Sequence, residues 1–335
     1  MPAILGTLRR LVLTPKLRAV TFAERGFPAA GTPAAEHLES IPQSVICGFE
    51  WGIEHGTLWD VERRLATVAP ELRGFAYEGA AMAFAVRDTM AGGRGTRTKE
   101  LLEGPGLPHI FLTYIGIGFA MARLPRVLWR NIMPDLDGVP FFPTMSWLAV
   151  DGYGFDRAYF HTAKVVDQQR PFKPYPWAGR ADYFPRAADQ GLGRALWFIH
   201  GARPDRVAAA VTAFPAGRRA DLWSGVGLAA TFAGGCSAEG LAGLSAAAGT
   251  HADEVALGAV FAGTARLAAG HVPEHSRLAV EVLTSRSIDD AVMLAATAAA
   301  EPEGSARPSD PPAYELWRER IRQQLRGGAA AAEAA

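Results

Sequence analysis

Four carboxylic acids and one histidine lie within apolar or aromatic stretches of this chain. A carboxyl group among apolar side chains can have a raised pKa, and it can then exchange a proton near neutral pH. Glu78 follows Tyr77 at the start of an apolar run, and Asp221 precedes Trp223 in a similar run. The alternative is that such acids are buried, hydrogen-bonded structural groups. The catalytic candidates are Glu78, Asp151, Asp156, His161 and Asp221.

The sequence predicts neither a metal site nor an organic cofactor. Asp151, Asp156 and His161 are five residues apart, so they would not share one face of a helix. Cys47 and Cys236, the only cysteines, cannot form a zinc site alone, and we expect them to be buried thiols in a reducing compartment. The chain has no P-loop, no dinucleotide fingerprint after a strand and no Gly-x-Ser-x-Gly motif.

Aromatic residues accompany the candidate acids along the chain. Binding sites for small molecules are mostly apolar and carry a few placed polar groups, and an acidic and aromatic rim around an apolar cavity fits that description. The residues predicted to shape such a pocket are Tyr77, Tyr153, Phe155, Tyr159 and Trp223.

A second set of polar residues is predicted to be structural. Arg73 and Arg219 stand at matching places in two similar stretches, and a buried arginine is costly unless it is paired. We expect both to pair with acids or to cap helix ends. Asp189 and Asp221 are their candidate partners, or else helix N-caps. Arg194 is assigned to the same structural set.

Two stretches of the chain, residues 73–88 and 219–235, align without a gap at a spacing of 146 residues. Each begins with an arginine and continues through an aromatic residue and a glycine into a run of small and apolar residues. Such a run favours a helix that packs closely on its neighbours. The same spacing pairs Trp51 with Trp197 and Val61 with Val207. Strand patterns are scarce, so we predict a mainly α fold built from two duplicated helical halves.

The expected boundaries follow from proline-rich and low-complexity segments. Residues 1–20 form a basic amphipathic lead, for which docking onto the body is favoured over membrane contact. The two halves are 21–142 and 143–300. Residues 301–326 are a linker and a terminal amphipathic helix, and 327–335 are a disordered tail.

Charge and composition constrain the partners. Lys and Arg number 34, as do Asp and Glu, so the net charge gives no reason to expect nucleic acid. The longest uncharged apolar segment, residues 110–122, is shorter than the roughly 20 residues of a membrane span. No signal peptide is evident. We therefore expect a cytoplasmic protein that can be peripheral to a membrane through a partner.

Several long motifs of the chain resemble the UnbL-type family. They lie at residues 72–88, 150–155, 159–160, 189–198 and 219–235, and the resemblance extends from residues 8–15 to 312–318. This family is a domain of unknown function associated with enediyne polyketide biosynthesis in actinobacteria. The resemblance implies a place beside a polyene-forming polyketide synthase, in clusters that also encode a membrane protein. It implies no settled activity and no catalytic residues.

Three functions remain open from the sequence. The first is an accessory protein that binds and processes a linear apolar polyene, as an isomerase or cyclase if it is an enzyme. The second is a non-catalytic helical adaptor that docks on a membrane partner or on the polyketide synthase. The third is an acid-initiated cyclase of a polyene or isoprenoid.

Overall fold

The computed structural model describes residues 4–54, 57–93, 95–299 and 311–333. Its described residues form helices and connecting segments without strands, which confirms the mainly α fold. The helices of the first part of the chain are α1 (Ile4–Leu13), α2 (Phe22–Arg25), α3 (Pro33–Glu54), α4 (Leu58–Leu65), α5 (Pro70–Met90), α6 (Arg97–Glu103), α7 (Ile110–Arg123) and α8 (Trp147–Phe160).

The second part of the chain continues with eight helices. They are α9 (Phe184–Ile199), α10 (Pro204–Ala213), α11 (Ala216–Ala233), α12 (Ala238–Ala248), α13 (Ala252–Ala268), α14 (Glu274–Thr284), α15 (Ile288–Thr297) and α16 (Ala313–Glu333). Helix α16 continues through residues 327–333, where we predicted a disordered tail. The predicted linker at 301–310 lies outside the described residues.

The chain divides into two compact units, Met1–Asp156 and Arg157–Ala335, called unit 1 and unit 2 below. The division falls inside α8, later than the predicted boundary after residue 142. In unit 1, α5 packs on α3 and on α7. In unit 2, α11 packs on α9 and on α13. These two central helices are the small-residue stretches that the sequence singled out.

Glycines allow the helix backbones of unit 1 to touch. A Cβ atom on Gly48 of α3 would overlap the carbonyl oxygen of Ala76 on α5, and one on Gly79 of α5 would overlap that of Val45. Gly116 of α7 meets the carbonyl oxygen of Glu78 in the same way. Only glycine fits at such crossings, because any larger residue would push the helices apart.

Unit 2 contains the corresponding contacts. Gly193 of α9 meets Leu222, Gly225 of α11 meets Gln190, and Gly258 of α13 meets Ser224. Gly225 follows Gly79 by 146 residues, but Gly193 follows Gly48 by 145. Trp51 stands three residues after Gly48 and Trp197 four residues after Gly193, so the two tryptophans take different places relative to these crossings. Trp197 is fully buried and donates its indole N–H to the Gly234 carbonyl (2.9 Å).

Candidate functional site

The predicted site residues divide between the two units. In unit 1, Arg73, Tyr77 and Glu78 lie on α5, whereas Asp151, Tyr153, Phe155 and Asp156 lie on α8. The others belong to unit 2, where they lie on or just after α8, on α9 and on α11: Tyr159, His161, Asp189, Arg194, Arg219, Asp221 and Trp223.

Arg73 and Arg219 cap the ends of neighbouring helices. The Arg73 guanidinium donates to the carbonyl oxygens of Val68 (3.1 Å) and Ala66 (3.2 Å), just after α4. Arg219 donates to those of Phe214 (2.8 Å) and Thr212 (2.7 Å) at the end of α10. These are the last carbonyl groups of a helix, which have no partner within the helix itself. Pairing with acids and capping of helix ends were the two roles predicted for these arginines, and both arginines cap helix ends in the structure.

Asp189 and Asp221 pair with arginines other than the ones predicted. Arg218 binds Asp189 through Nε (2.8 Å) and Nη2 (2.5 Å). Arg186 donates from Nε to Asp221 (2.9 Å), and the Gln190 amide donates to the same carboxylate (2.9 Å). The predicted pairing with Arg73 or Arg219 is thus wrong, because those guanidiniums are taken by backbone carbonyls.

Asp156 is also held by an arginine. Arg123, the last residue of α7, donates from Nη2 to Oδ2 of Asp156 at 2.7 Å. The carboxylate is buried, whereas the arginine is partly exposed. The pair joins the end of α7 to α8.

Glu78 and Asp151 are both buried in unit 1 beside the same turn of α7. A Cβ on Gly116 would overlap the backbone of Glu78, and a Cβ on Gly152 would overlap the carbonyl oxygen of Ile115. The residue preceding Gly152 is Asp151. Among the predicted acids, Glu78 and Asp151 are thus the two whose backbones lie next to Ile115 and Gly116 of α7.

The predicted pocket aromatics take part in the packing within each unit. Tyr77 stacks on His109 with ring centroids 4.6 Å apart, and burial raises its pKa. Tyr153 packs edge-on against Trp129 at 5.0 Å. The three remaining aromatics are in contact with another ring or are buried: Phe155 with Phe119, Tyr159 with Phe160, and Trp223.

Arg194, His161 and the two cysteines complete the predicted set. Arg194 is buried, and its backbone nitrogen lies against Gly225 where α9 crosses α11. His161 is half-buried. Both cysteines are free and half-buried, so they are less buried than predicted. Among the described residues, no three His, Cys, Asp or Glu side chains are grouped as a metal site would require, and the absence of a cofactor remains a prediction.

The largest polar cluster in unit 2 was not predicted. At its centre is Arg318 of α16, which is 2% exposed. Its Nε donates to Glu315 (3.0 Å) and its Nη1 to the Ser224 hydroxyl (3.1 Å). Its Nη2 lies 3.7 Å from both Asp221 and Glu254. The last helix is therefore joined by charge to α11 and α13. We call this group the α16 cluster, and it comprises Arg186, Asp221, Glu254, Glu315, Arg318 and Arg322.

Charge within the α16 cluster is balanced, since its three acids face three arginines. Arg322 binds Glu315 (2.9 Å) and Glu254 (3.2 Å). Burial acts to raise the pKa of Glu315, but the guanidinium groups of Arg318, Arg186 and Arg322 outweigh it and lower that pKa to about 2. Burial raises the pKa of Glu254, and the same type of pairing opposes it. The balance is typical of a structural network.

Neutral groups complete the α16 cluster. The Tyr183 hydroxyl donates to Glu315 (2.5 Å) and accepts a hydrogen bond from the Gln190 amide (3.2 Å). The Tyr314 hydroxyl donates to Oε1 of the Gln190 side chain (3.1 Å). Burial raises the pKa of Tyr183 well above its usual value. Tyr183 thus stays protonated and keeps its hydrogen bond to Glu315.

One sequence signal was available for this cluster. Glu315, Arg318 and Arg322 recur at spacings of three and four, as do the buried apolar residues Tyr314, Trp317, Ile321 and Leu325 of α16. Leu316 is only half-buried, whereas Glu315 and Arg318 are buried. Hydropathy alone would place these two charges on the solvent side of the amphipathic helix.

A surface cavity of about 460 Å³ lies in unit 1, away from the predicted site residues. Its lining includes Thr57, Leu58, Phe84, Thr96, Arg97 and Glu100. The two threonine hydroxyls already donate to the acids of their own helices, Asp60 and Glu100. Residues 55, 56 and 94, which neighbour this lining in the chain, lie outside the described part.

Comparison with known proteins gives one match. The sequence profile of a family described as a protein of unknown function, DUF1702, matches residues 4–325. The chain therefore belongs to this family. No curated protein and no solved structure matches it.

Proposed function

We propose that this DUF1702 protein is a non-catalytic helical adaptor in enediyne polyketide formation. The observation that carries the proposal is the engagement of Asp156 by Arg123, and of Asp221 by Arg186 and Gln190, within the packing of each unit. Buried polar side chains that bond neighbouring helices in this way are structural groups, which is what a non-catalytic scaffold contains. The link to enediynes rests on the motifs that resemble the UnbL-type family.

An adaptor function also agrees with the role of the buried ion pairs in unit 2. The buried charges of the α16 cluster fix the last helix on α11 and α13 instead of pointing into an opening. Rigid helical surfaces suit a protein that holds other proteins, such as a polyketide synthase or a membrane partner, in a fixed arrangement.

A second candidate is the binding and processing of an apolar polyene by unit 1. It is favoured by one observation, the burial of Glu78 and Asp151 on either side of the same turn of α7. A carboxyl beside apolar and aromatic residues is the kind of group that donates or accepts a proton during the processing of a polyene or isoprenoid chain. No metal or organic cofactor is part of either proposal.

A complementation experiment separates the two candidates. Glu78→Gln and Asp151→Asn keep side-chain shape but remove the ability to transfer a proton. Each variant is introduced into a producing strain that lacks the wild-type gene, and the enediyne-related products are measured by mass spectrometry. An adaptor retains production with either variant, provided that circular dichroism shows wild-type helicity and melting. Loss of production by a folded variant would instead support catalysis.

A direct assay tests whether the protein converts a polyene, as the second candidate function requires. The purified protein is incubated with the polyene released by the synthase, and both the soluble product and the protein-bound fraction are analysed. We expect an unchanged polyene. Conversion of the polyene, abolished in the Glu78→Gln variant, would overturn the adaptor proposal.

The repeated contacts bear on the history of the fold. We infer that the two units arose by internal duplication, because α3, α5 and α7 share glycine crossings and helix order with α9, α11 and α13. The capping arginines Arg73 and Arg219 add the same hydrogen bonds at the same spacing.

A further inference from the structure

The N-terminal segment exposes three leucines close together. Leu11, Leu13 and Leu17 are 71%, 36% and 49% exposed, and they fall within seven residues of the chain. Single exposed apolar residues are common on soluble proteins, but grouped ones mark surfaces that contact something else. This group includes the end of α1 and the 3₁₀ turn Leu17–Val20 that follows it.

Helix α1 is fixed on unit 1 through residues other than these leucines. Arg10 lies 3.2 Å from Glu50 and 3.5 Å from Glu54, both on α3. Gly6 meets the carbonyl oxygen of Glu54, and a Cβ at this position would overlap it. Leu13 falls on the same face of α1 as Gly6, whereas Leu11 is turned about 140° away from Gly6, so Leu11 is not needed to hold the helix.

Positive charge surrounds the exposed leucines. Lys16 and Arg18 are exposed beside Leu17. Residues 1–23 contain Arg9, Arg10, Lys16 and Arg18 and no acidic residue, although the whole chain is neutral. Leucines flanked by exposed cations are the composition of segments that lie in the interface of an anionic membrane.

We propose that the exposed side chains of Leu11, Lys16, Leu17 and Arg18 bind the face of an anionic lipid bilayer. The leucines enter the boundary between headgroups and acyl chains, and the cations contact lipid phosphates. A lipid surface fits better than a protein groove, because the patch contains no aromatic anchor of the kind that protein interfaces favour. The sequence had favoured docking of this segment onto the body, and that docking through Gly6 and Arg10 leaves Leu11, Lys16, Leu17 and Arg18 exposed.

The proposed lipid contact does not require a membrane-spanning helix. In the described part of the chain, no single helix has the length and apolar character to cross a bilayer. Helix α6 and residues 107–123 pass that test only as a pair bent by 89°. The proposed contact is peripheral, and it goes beyond the adaptor function because a polyene-handling protein would use it equally.

Sedimentation with vesicles tests the proposal on the full chain. One set of vesicles contains phosphatidylcholine alone, and the other contains phosphatidylcholine with phosphatidylglycerol. We expect binding to the anionic set, weakened by added salt because the headgroup attraction is screened. The double variants Leu11→Ser/Leu17→Ser and Lys16→Gln/Arg18→Gln should each weaken binding by roughly tenfold or more.

A matched control replaces exposed apolar residues elsewhere in the chain. Val127 and Met293 are 81% and 65% exposed, and Val127→Ser/Met293→Ser should bind vesicles like the wild type. Equal loss in this control, or no binding of the wild type to anionic vesicles, would overturn the lipid proposal. Either result leaves the complementation test of the adaptor function untouched, so the two proposals can fail separately.

Discussion

Arg318 is the residue on which the buried charges of unit 2 depend most directly. Its guanidinium bonds Glu315 and Ser224 and lies near Asp221 and Glu254, which come from α11 and α13. Removing one partner of a buried ion pair leaves the other charge without compensation, and this costs more than the pair itself contributes.

We expect Arg318→Met to destabilise the protein by about 3–5 kcal/mol, because buried carboxylates lose their counter-charge. The free energy of unfolding, measured with urea, checks this. Arg326→Met is the control, since Arg326 is exposed and its ion pair with Asp253 is at the surface. Its cost should stay below about 1 kcal/mol. Equal effects of the two substitutions would contradict the central place of Arg318.

The Glu315 carboxyl gives the stability a dependence on pH. Its pKa falls from the ordinary 4.5 to about 2 on folding, so the unfolded chain takes up the proton first as the pH is lowered. Stability from this group, about 3 kcal/mol, is present above pH 4.5 and is lost as the pH falls towards 2.

Glu315→Gln should therefore flatten the loss of stability at acid pH. We expect the unfolding free energy of the variant to fall less between about pH 5 and pH 2 than that of the wild type. Glu319→Gln, on the exposed side of the same helix, is the control and should keep the wild-type slope. Parallel curves for wild type and Glu315→Gln would show that other groups carry the dependence.

At the scale of helices, backbone contact at glycines sets the spacing of both units. Gly79 and Gly225 lie at the centres of α5 and α11, where a methyl group would overlap the carbonyl oxygens of Val45 and Gln190. Both faces of these helices are covered, which explains why their sequences are small and apolar nearly all round.

Gly79→Ala and Gly225→Ala should each cost about 1–3 kcal/mol, because the crossing helices must separate to admit the methyl group. Thermal and urea unfolding measure the effect. Gly243→Ala on α12 is the control, since a Cβ there meets nothing within 4 Å. It should be neutral or stabilising by up to about 1 kcal/mol, because alanine is the better helix former. An unfolding free energy of Gly225→Ala equal to that of the wild type would show that α9 and α11 can separate at little cost.

The sequence predicted these helices well because their cause is local. Arginine, aromatic and glycine at fixed spacing indicated α5 and α11, and the capping role of Arg73 needed only carbonyls five to seven residues away. The partner of Asp221 was missed because Arg186 is 35 residues distant and only the fold brings it near. The segment from Gly193 to Val207 is one residue longer than the segment from Gly48 to Val61, which the fixed spacing of 146 residues did not allow for.

For the molecule as a whole, α16 belongs to the body of unit 2. Trp317 packs edge-on against Phe261 at 4.6 Å and donates its indole N–H to the Ala295 carbonyl (2.8 Å). Tyr314 and Ile321 are also buried. The last helix thus contributes both apolar cover and the arginines that neutralise Asp221 and Glu254.

Deleting residues 313–335 should make the unfolding of unit 2 less cooperative. The deletion uncovers Phe261 and leaves two buried acids without Arg318 and Arg322, so we expect a broadened melting transition and binding of a hydrophobic dye. Deleting only residues 327–335 is the control and should leave melting unchanged, because Leu325 is the last buried side chain among the residues whose burial is described. A sharp wild-type transition in the larger deletion would contradict this.

The position of α16 also sets an order of events on the ribosome. Synthesis proceeds from the N-terminus at roughly 5–20 residues per second, and domains tend to fold as they emerge. The helices of unit 1 emerge well before α16. Unit 2 must wait for α16, because Arg318 and Arg322, the cations beside Glu254, lie on that helix. A nascent chain stalled before residue 313 would therefore hold a finished unit 1 and an unfinished unit 2.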